Sequence, residues 1–147
     1  MPNLHIISVG KPKLSYAREG IAEYLPRLER YGKVFWKQVS EGSKAEEGVR
    51  LLAASDSMFR VVMDERGKTC RSLELAQKLE QWDLQSVKDV AFLIGGANGH
   101  EDDVRKKASW VLSLSTMTLQ HELALVFLME QLYRAQTIRR GEPYHRE

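Results

Sequence analysis

The stretch Leu112 to Ala135, LSLSTMTLQHELALVFLMEQLYRA, restricts the folds open to this chain more than any other. It reads as an apolar strand-like run, then a loop rich in Ser and Thr (Ser115, Thr116, Thr118), then a helix over 122–138. In that helix Leu123, Ala124, Leu125, Val126, Phe127, Leu128 and Met129 occupy every face. A helix apolar all round cannot lie on a monomer's surface with one side in water. It must cross a core or share its outer side with a partner, and in so small a chain a homodimer is the expected solution. The apolar run 123–129 is far too short to cross a bilayer, which takes about 20 residues, so no membrane partner is expected.

Around this stretch the chain alternates. Leu4 to Val9, Val34 to Val39, Phe59 to Met63, Val90 to Ile94 and Trp110 to Leu114 have the length and composition of buried strands. Ser15 is placed to cap a helix with Ala17, Ile21, Tyr24, Leu25 and Leu28 on one side, and Pro26 is expected to kink it. A second helix is expected from Ser43 to Ala54 with Val49, Leu51 and Leu52 inward. A third, capped by Ser72, runs from Leu73 to Trp82 over Leu75, Ala76 and Leu79, and a short charged one covers Glu101 to Lys107. Asp64-Glu65-Arg66-Gly67-Lys68 is a turn by composition. Val90 to Ile94, apolar throughout, belongs at the centre of a parallel sheet. Four or five β-α alternations predict an α/β fold, a mainly parallel sheet with helices on both faces. At 147 residues, 43% apolar and 29% charged, the chain suits one domain, 1–147, around one core.

Two loops then stand out at the carboxyl ends of strands expected to be neighbours, where α/β sheets hold ligands. Gly95-Gly96-Ala97-Asn98-Gly99 lets backbone amides approach a ligand, yet it is neither a phosphate loop nor a full dinucleotide fingerprint. Taken alone it reads as a tight structural turn. The Ser/Thr loop equally suits ligand binding or the capping of the next helix. Other chemistries lack their residues. His5, His100, His121 and His145 have no partner at metal-ligand spacing, so no metal is expected. There is no Gly-x-Ser-x-Gly elbow, and the lone Cys70 has no local support as a nucleophile. One cysteine excludes a disulfide within the chain, and the N-terminal MPNLHIISVG lacks the features of a signal peptide, so a reducing cytoplasm is the expected compartment.

The formal charge is only +2, but its distribution is uneven: 18 basic and 18 acidic side chains precede residue 134. The whole excess therefore lies in the last fourteen residues, with Arg134, Arg139, Arg140 and Arg146 against Glu142 and Glu147. A polyanion would be drawn to that end, although arginines at a helix C-terminus also simply complement its dipole. In Pro143-Tyr144-His145-Arg146 an aromatic, an imidazole and a guanidinium are placed to act together on a nucleic-acid base.

Phe92-Leu93-Ile94-Gly95-Gly96 with Gly99, Leu112-Ser113-Leu114-Ser115, Met117-Thr118-Leu119, His121, Glu130-Gln131-Leu132-Tyr133-Arg134-Ala135 and Gly141-Glu142-Pro143-Tyr144-His145 occur in this order, with Val9-Gly10-Lys11 and Glu23-Tyr24 upstream. Together they resemble the small bacterial SPOUT methyltransferases that modify a pseudouridine of large-subunit (23S) ribosomal RNA at N3. The resemblance covers essentially the full chain. It implies a deep trefoil knot in the C-terminal part, roughly 89–147, and S-adenosylmethionine as methyl donor. By position it places the cofactor contacts on Met63, Gly96 and Ser115, Thr116, Met117, Thr118, Leu119 and Gln120, with Gly95 adjacent. The implied reaction is direct displacement of the sulfonium methyl by the base nitrogen, without metal or covalent enzyme intermediate, so that alignment supplies most of the acceleration. His145 is then the candidate for proton acceptance or base positioning, Tyr144 stacks or hydrogen-bonds, and Arg139, Arg140 and Arg146 hold phosphates. The family's site is composite, one subunit's tail completing the other's pocket, so the implied partners are a second copy of the chain and 23S ribosomal RNA in the ribosome. Two positions depart from the family pattern. Gln120 stands for a usual proline, which implies a looser cofactor loop, and Leu125 for a usual arginine, which implies a lost positive charge near the site. Two other readings stay open: a non-catalytic ribosome-binding protein keeping the knot and, from pattern alone, a flavodoxin-like nucleotide-binding module without RNA, against which the basic tail weighs.

Overall fold

Side-chain alternation along the strands divides the hydrophobic core between two faces of one sheet. In the computed structural model, which describes residues 1–146, the strands are β1 (Asn3–Val9), β2 (Val34–Val39), β3 (Phe59–Thr69), β4 (Asp89–Ile94) and β5 (Trp110–Ser113). All pairings are parallel, in the order β2-β1-β4-β3-β5. The helices are α1 (Ser15–Glu29), α2 (Lys44–Ala54), α3 (Ser72–Leu84), α4 (Asp102–Lys106) and α5 (His121–Arg139). Leu4, Ile6, Val61, Met63, Val90, Phe92 and Ile94 point to the face covered by α1, α3 and α5. Ile7, Val9, Val62, Ala91 and Leu93 point to the other, covered by α2 and α4. That period of two is imposed by the pleat. β4 is central and Val90 to Ile94 are buried, as an unbroken apolar run requires.

Two crossovers shape the site. From β3 the chain passes through α3 to β4, toward β1; from β4 it passes through α4 back beyond β3 to β5. Right-handed connections travelling in opposite directions put their helices on opposite faces, and α3 and α4 are so placed. The two loops singled out above therefore follow β4 and β5, which are not neighbours: β3 lies between them. α5 packs against both α1 and α3 and buries Leu125, Leu128, Met129, Leu132 and Ala135, leaving Leu123 exposed.

Several local expectations are corrected. Ser15 does not cap α1; the Lys13 and Leu14 N–H groups donate to Glu122 Oε1 at 2.8 and 3.0 Å, which ties the start of α1 to the start of α5. α1 runs through Pro26 to Glu29, with Leu28 fully buried. Val49 faces solvent, 69% exposed, while Leu51 on the same helix is buried. Ser43 does cap α2, in a reciprocal box with Glu46. Ser72 instead donates to Gln131 on α5, and Glu74 accepts from the Arg71 N–H at the start of α3. Residues 64–68 form no turn: β3 runs on to Thr69, with a register shift against β5 between Met63 and Lys68. Gly67 permits this, since a Cβ there would meet the Val111 carbonyl oxygen at 2.5 Å. Leu125 is 2% exposed inside the core, so the substitution Leu125→Arg would bury a cation rather than restore a charge to a surface.

Candidate functional site

A cavity of about 530 Å³, within the size range of small-molecule sites, opens at the carboxyl ends of β4 and β5, beside the register shift in the middle of β3. Met63 to Arg66 supply one wall, Ile94 to His100 another, and Leu114 with Ser115 and Met117 to His121 a third. The expected cofactor contacts Met63, Gly95, Gly96, Ser115, Met117, Thr118, Leu119 and Gln120 all line it; Thr116 does not. Sequence reasoning missed Asp64, Glu65 and Arg66, together with Lys44, His100, Arg105 and His121. The first three read as a turn by composition, and only the placing of β3 between β4 and β5 brings them to the cavity.

Each loop is held by its own short contacts. Gly99 has φ +78°, and its N–H donates to the Gly96 carbonyl at 3.0 Å, folding 96–99 into a tight turn. A Cβ on Gly95 would stand 3.0 Å from the Gly99 carbonyl carbon, and one on Gly96 only 2.8 Å from Glu47 Oε1. Glycine at these two positions therefore lets the loop pack closely against its own turn and against Glu47 of α2. In the second loop Ser113 Oγ donates to the Ser115 carbonyl at 2.7 Å, and Ser115 Oγ accepts from the Met117 N–H at 3.0 Å. Thr118 donates to Glu65, joining this loop to the middle of β3. Gln120 Oε1 accepts from the Glu122 and Leu123 N–H groups at 2.8 and 3.1 Å, so the glutamine caps α5.

The charged floor is built from α4. Arg105 donates to Asp64 at 2.9 Å and to the His100 carbonyl at 2.9 Å. Partial burial pushes the Asp64 carboxyl up, but the Arg66 N–H and the Arg105 guanidinium outweigh it and hold the carboxyl below its ordinary range. His100 is buried, its Nε2 3.2 Å from the Leu93 carbonyl and its Nδ1 without a hydrogen-bond partner among the described residues. Burial pushes its imidazole down and keeps it neutral. Cys70 lines only a smaller cleft beside α3, and burial followed by Glu74 pushes its thiol up, away from a reactive thiolate.

Tyr144 and His145 do not line the cavity. Tyr144 Oη donates to Glu130 Oε2 at 2.6 Å, and its ring stands edge-on to Tyr133 at 4.7 Å. His145 Nδ1 lies 3.1 Å from Arg134 Nη1, while Arg134 also pairs with Glu130 at 2.8 Å. His121, at the cavity, and Arg134 are both on α5, so the helix rise alone sets them about 20 Å apart. Within one chain the tail is thus remote from the cofactor cavity. Of the arginines expected on phosphates, Arg139 pairs with Glu80 and Asp83 at 2.9 and 3.0 Å, Arg140 lies 5.0 Å over the Tyr31 ring, and Arg146 is exposed. Glu147, counted above against the basic tail, lies outside the described residues.

Comparison with known proteins converges on one family. Residues 2–145 match the family described as "Predicted SPOUT methyltransferase". Over 143 residues the chain is 46% identical to the ribosomal RNA large subunit methyltransferase H of Thermus thermophilus, covering 97% of this chain and 98% of the relative. It is 45% identical over 143 residues to the protein of the same name from Deinococcus radiodurans, covering 97% and 98%. Among solved structures, one described as "a probable methylase family protein" from Haemophilus influenzae superposes with a TM-score of 0.62 at 14% identity, over 99% of this chain and 71% of that one. One described as a "Probable Methyltransferase" from Bordetella pertussis does so with 0.55 at 12% identity, over 91% and 96%. At such identities these two structures bear on the fold alone.

Proposed function

Since this chain belongs to the SPOUT methyltransferase family, we propose that it transfers the methyl group of S-adenosylmethionine to N3 of a pseudouridine in 23S ribosomal RNA, on assembled ribosomes. The observation that carries this reading is the convergence on one cavity of eight of the nine positions expected to hold the cofactor. Backbone from Gly95, Gly96 and the 114–120 loop suits the adenine edge and the methionine moiety, whose polar groups pair with amides and carbonyls as readily as with side chains. The cofactor supplies an electrophilic methyl on a sulfonium. The protein's part is to bury that group, exclude water and bring the base nitrogen into line with it.

The roughly 20 Å between cavity and tail supports a composite site in a homodimer, with Tyr144 and His145 of one subunit reaching the other's cavity. Exposed Leu14, Tyr16, Met117 and Leu123, close to the cavity and the start of α5, are the kind of surface such a dimer would cover. The whole chain 1–147 acts as one domain, with 89–147 threaded as a trefoil knot around the cofactor loop and the site at work on ribosomes in the cytoplasm. Arg140 and Arg146 are better placed than the ion-paired Arg139 to meet phosphates. The test is transfer of labelled methyl from S-adenosylmethionine to ribosomes from cells lacking the protein, followed by nucleoside mass analysis. Label on N3 of a 23S pseudouridine supports the proposal; ribosome binding by a folded protein with no label supports the non-catalytic reading instead.

A further inference from the structure

The amino end of the sheet carries a surface that the cofactor cavity does not use, and its reading rests on ribosomal RNA being the substrate, as proposed above. β2 is an edge strand, paired with β1. Val34 and Trp36 pack toward the core beneath α1, α3 and α5, so by the pleat Phe35 and Lys37 leave the opposite face. Lys33, whose carbonyl accepts from the Leu4 N–H at 3.0 Å, continues the same register. Val39 on that face packs with the core, but Phe35 stays 47% exposed, with Lys33 and Lys37 exposed on either side of it. The phenyl is backed all the same. His5, opposite it on β1, stacks on it with ring centroids 5.0 Å apart and planes 20° from parallel. His5 in turn is held by Asp89 at 2.8 Å, and Asn3 donates to the same carboxylate oxygen at 3.1 Å. The carboxylate bound to this stack is thereby committed, while neither lysine has an ion-pair partner among the described residues.

We infer that Lys33, Phe35 and Lys37 form a stacking platform for an unpaired nucleotide of the ribosomal RNA substrate. Every base offers a π-face to an aromatic ring, so stacking needs no particular sequence, whereas a base inside a duplex is already stacked and does not take it. A base lying on the open side of Phe35 leaves the phosphates before and after it to the two lysines, each about 7 Å from Phe35 along the strand. Lysines on an edge strand also discourage pairing with another sheet. That purpose leaves the half-exposed phenyl unexplained, since an apolar edge residue favours such pairing. The place of the strand fits the same substrate. Two residues before Lys33, Tyr31 Oη donates to the Glu142 carboxylate, 3.1 and 3.0 Å from its two oxygens, and Arg140 lies 5.0 Å over the Tyr31 ring. The tail proposed to complete the partner's cavity is therefore fixed at the start of β2, and RNA engaged by that tail lies beside the platform.

Binding of the intact protein to ribosomes from cells lacking it, followed by sedimentation over a range of salt, tests the platform. Phe35→Ala should weaken binding about 5- to 100-fold, and Phe35→Trp should hold it within about two-fold of wild type. Lys33→Gln/Lys37→Gln changes only exposed side chains and leaves the fold intact. It should flatten the slope of log affinity against log salt by about 1.4, since each phosphate contact to a single strand contributes about 0.7. In methyl transfer, Phe35→Ala and the lysine pair should raise the KM for ribosomes and leave kcat and S-adenosylmethionine affinity within about two-fold. Unchanged affinity and salt slope overturn the inference. So does Phe35→Trp binding no better than Phe35→Ala, which would show that the phenyl serves only to pack on His5. A p-benzoylphenylalanine photo-crosslinker at position 35 identifies the occupant: an adduct with 23S RNA is expected, and one with a ribosomal protein overturns the inference. Wild-type protein that binds ribosomes but transfers no methyl would sink the reaction proposed above, and the binding series would still judge the platform.

Discussion

Substitution of Gly96 by alanine isolates the steric demand of the cofactor wall. The new methyl would stand 2.8 Å from Glu47 Oε1 and 3.4 Å from its carboxylate carbon. Ordinary contact is about 3.5 Å or more, so the oxygen contact is roughly 0.7 Å too short. Glu47 cannot easily yield: the residue is 6% exposed, and its other oxygen accepts from the Gly42 N–H at 3.1 Å. Breaking that bond to a charged acceptor costs about 1.5–3 kcal/mol, and overpacking without breaking it costs about 1–3 kcal/mol. If instead Gly96 yields, the 95–99 loop moves into the cavity. Because about 1.4 kcal/mol is ten-fold in affinity, Gly96→Ala should weaken S-adenosylmethionine binding by about 10- to 100-fold in calorimetric titration. Removing the obstructing carboxylate in Gly96→Ala/Glu47→Ala should recover most of that loss relative to Glu47→Ala alone. Binding by Gly96→Ala within about two-fold of wild type, or a double variant showing simple additivity, would refute the reasoning.

Other perturbations follow from the same geometry. Leu125→Arg places a cation among core side chains and should cost about 3–5 kcal/mol, lowering the midpoint of thermal unfolding by about 10 °C or more; an unchanged melt would show that position 125 tolerates charge. The depressed pKa of His100 makes the unfolded chain bind the extra proton first, so stability is full above about pH 6.5 and falls as pH drops toward the lower folded value. Urea unfolding between pH 7 and 5 should therefore show a decline that His100→Gln flattens, and parallel profiles would contradict this. A composite site predicts rescue between inactive chains: purified heterodimers of Gly96→Val and His145→Ala contain one intact site of two and should recover about half of wild-type methylation. No recovery would mean that pocket and tail act within one chain.

How far the sequence discloses this molecule depends on the range of the forces involved. The strands were legible because burial on both faces leaves unbroken apolar runs, as in Val90 to Ile94. The extension of β3 through Asp64 to Thr69 was not, since its composition is that of a turn and the deciding contact, Gly67 against the Val111 carbonyl, spans two strands. Strand order is equally hidden from local pattern, so the insertion of β3 between β4 and β5 could not be foreseen, nor the third wall of the cavity that it supplies. Val49 shows the same limit: helical spacing narrows the buried face, but neighbouring elements decide which side chains it includes. The glycines and the Ser/Thr loop were legible as a site only through a resemblance covering the whole chain, because backbone recognition leaves few diagnostic side chains. Glu130 and Arg134 lay within a quoted motif, yet their role on the tail emerges only when residues 144 and 145 fold back along α5.

The most direct measurement of the central claim is nucleoside analysis of 23S ribosomal RNA from cells with and without the protein. Loss of one N3-methylated pseudouridine on deletion, its return with the wild-type chain and its continued absence with Gly96→Val are the predicted results. An unchanged complement of methylated nucleosides after deletion would contradict the account.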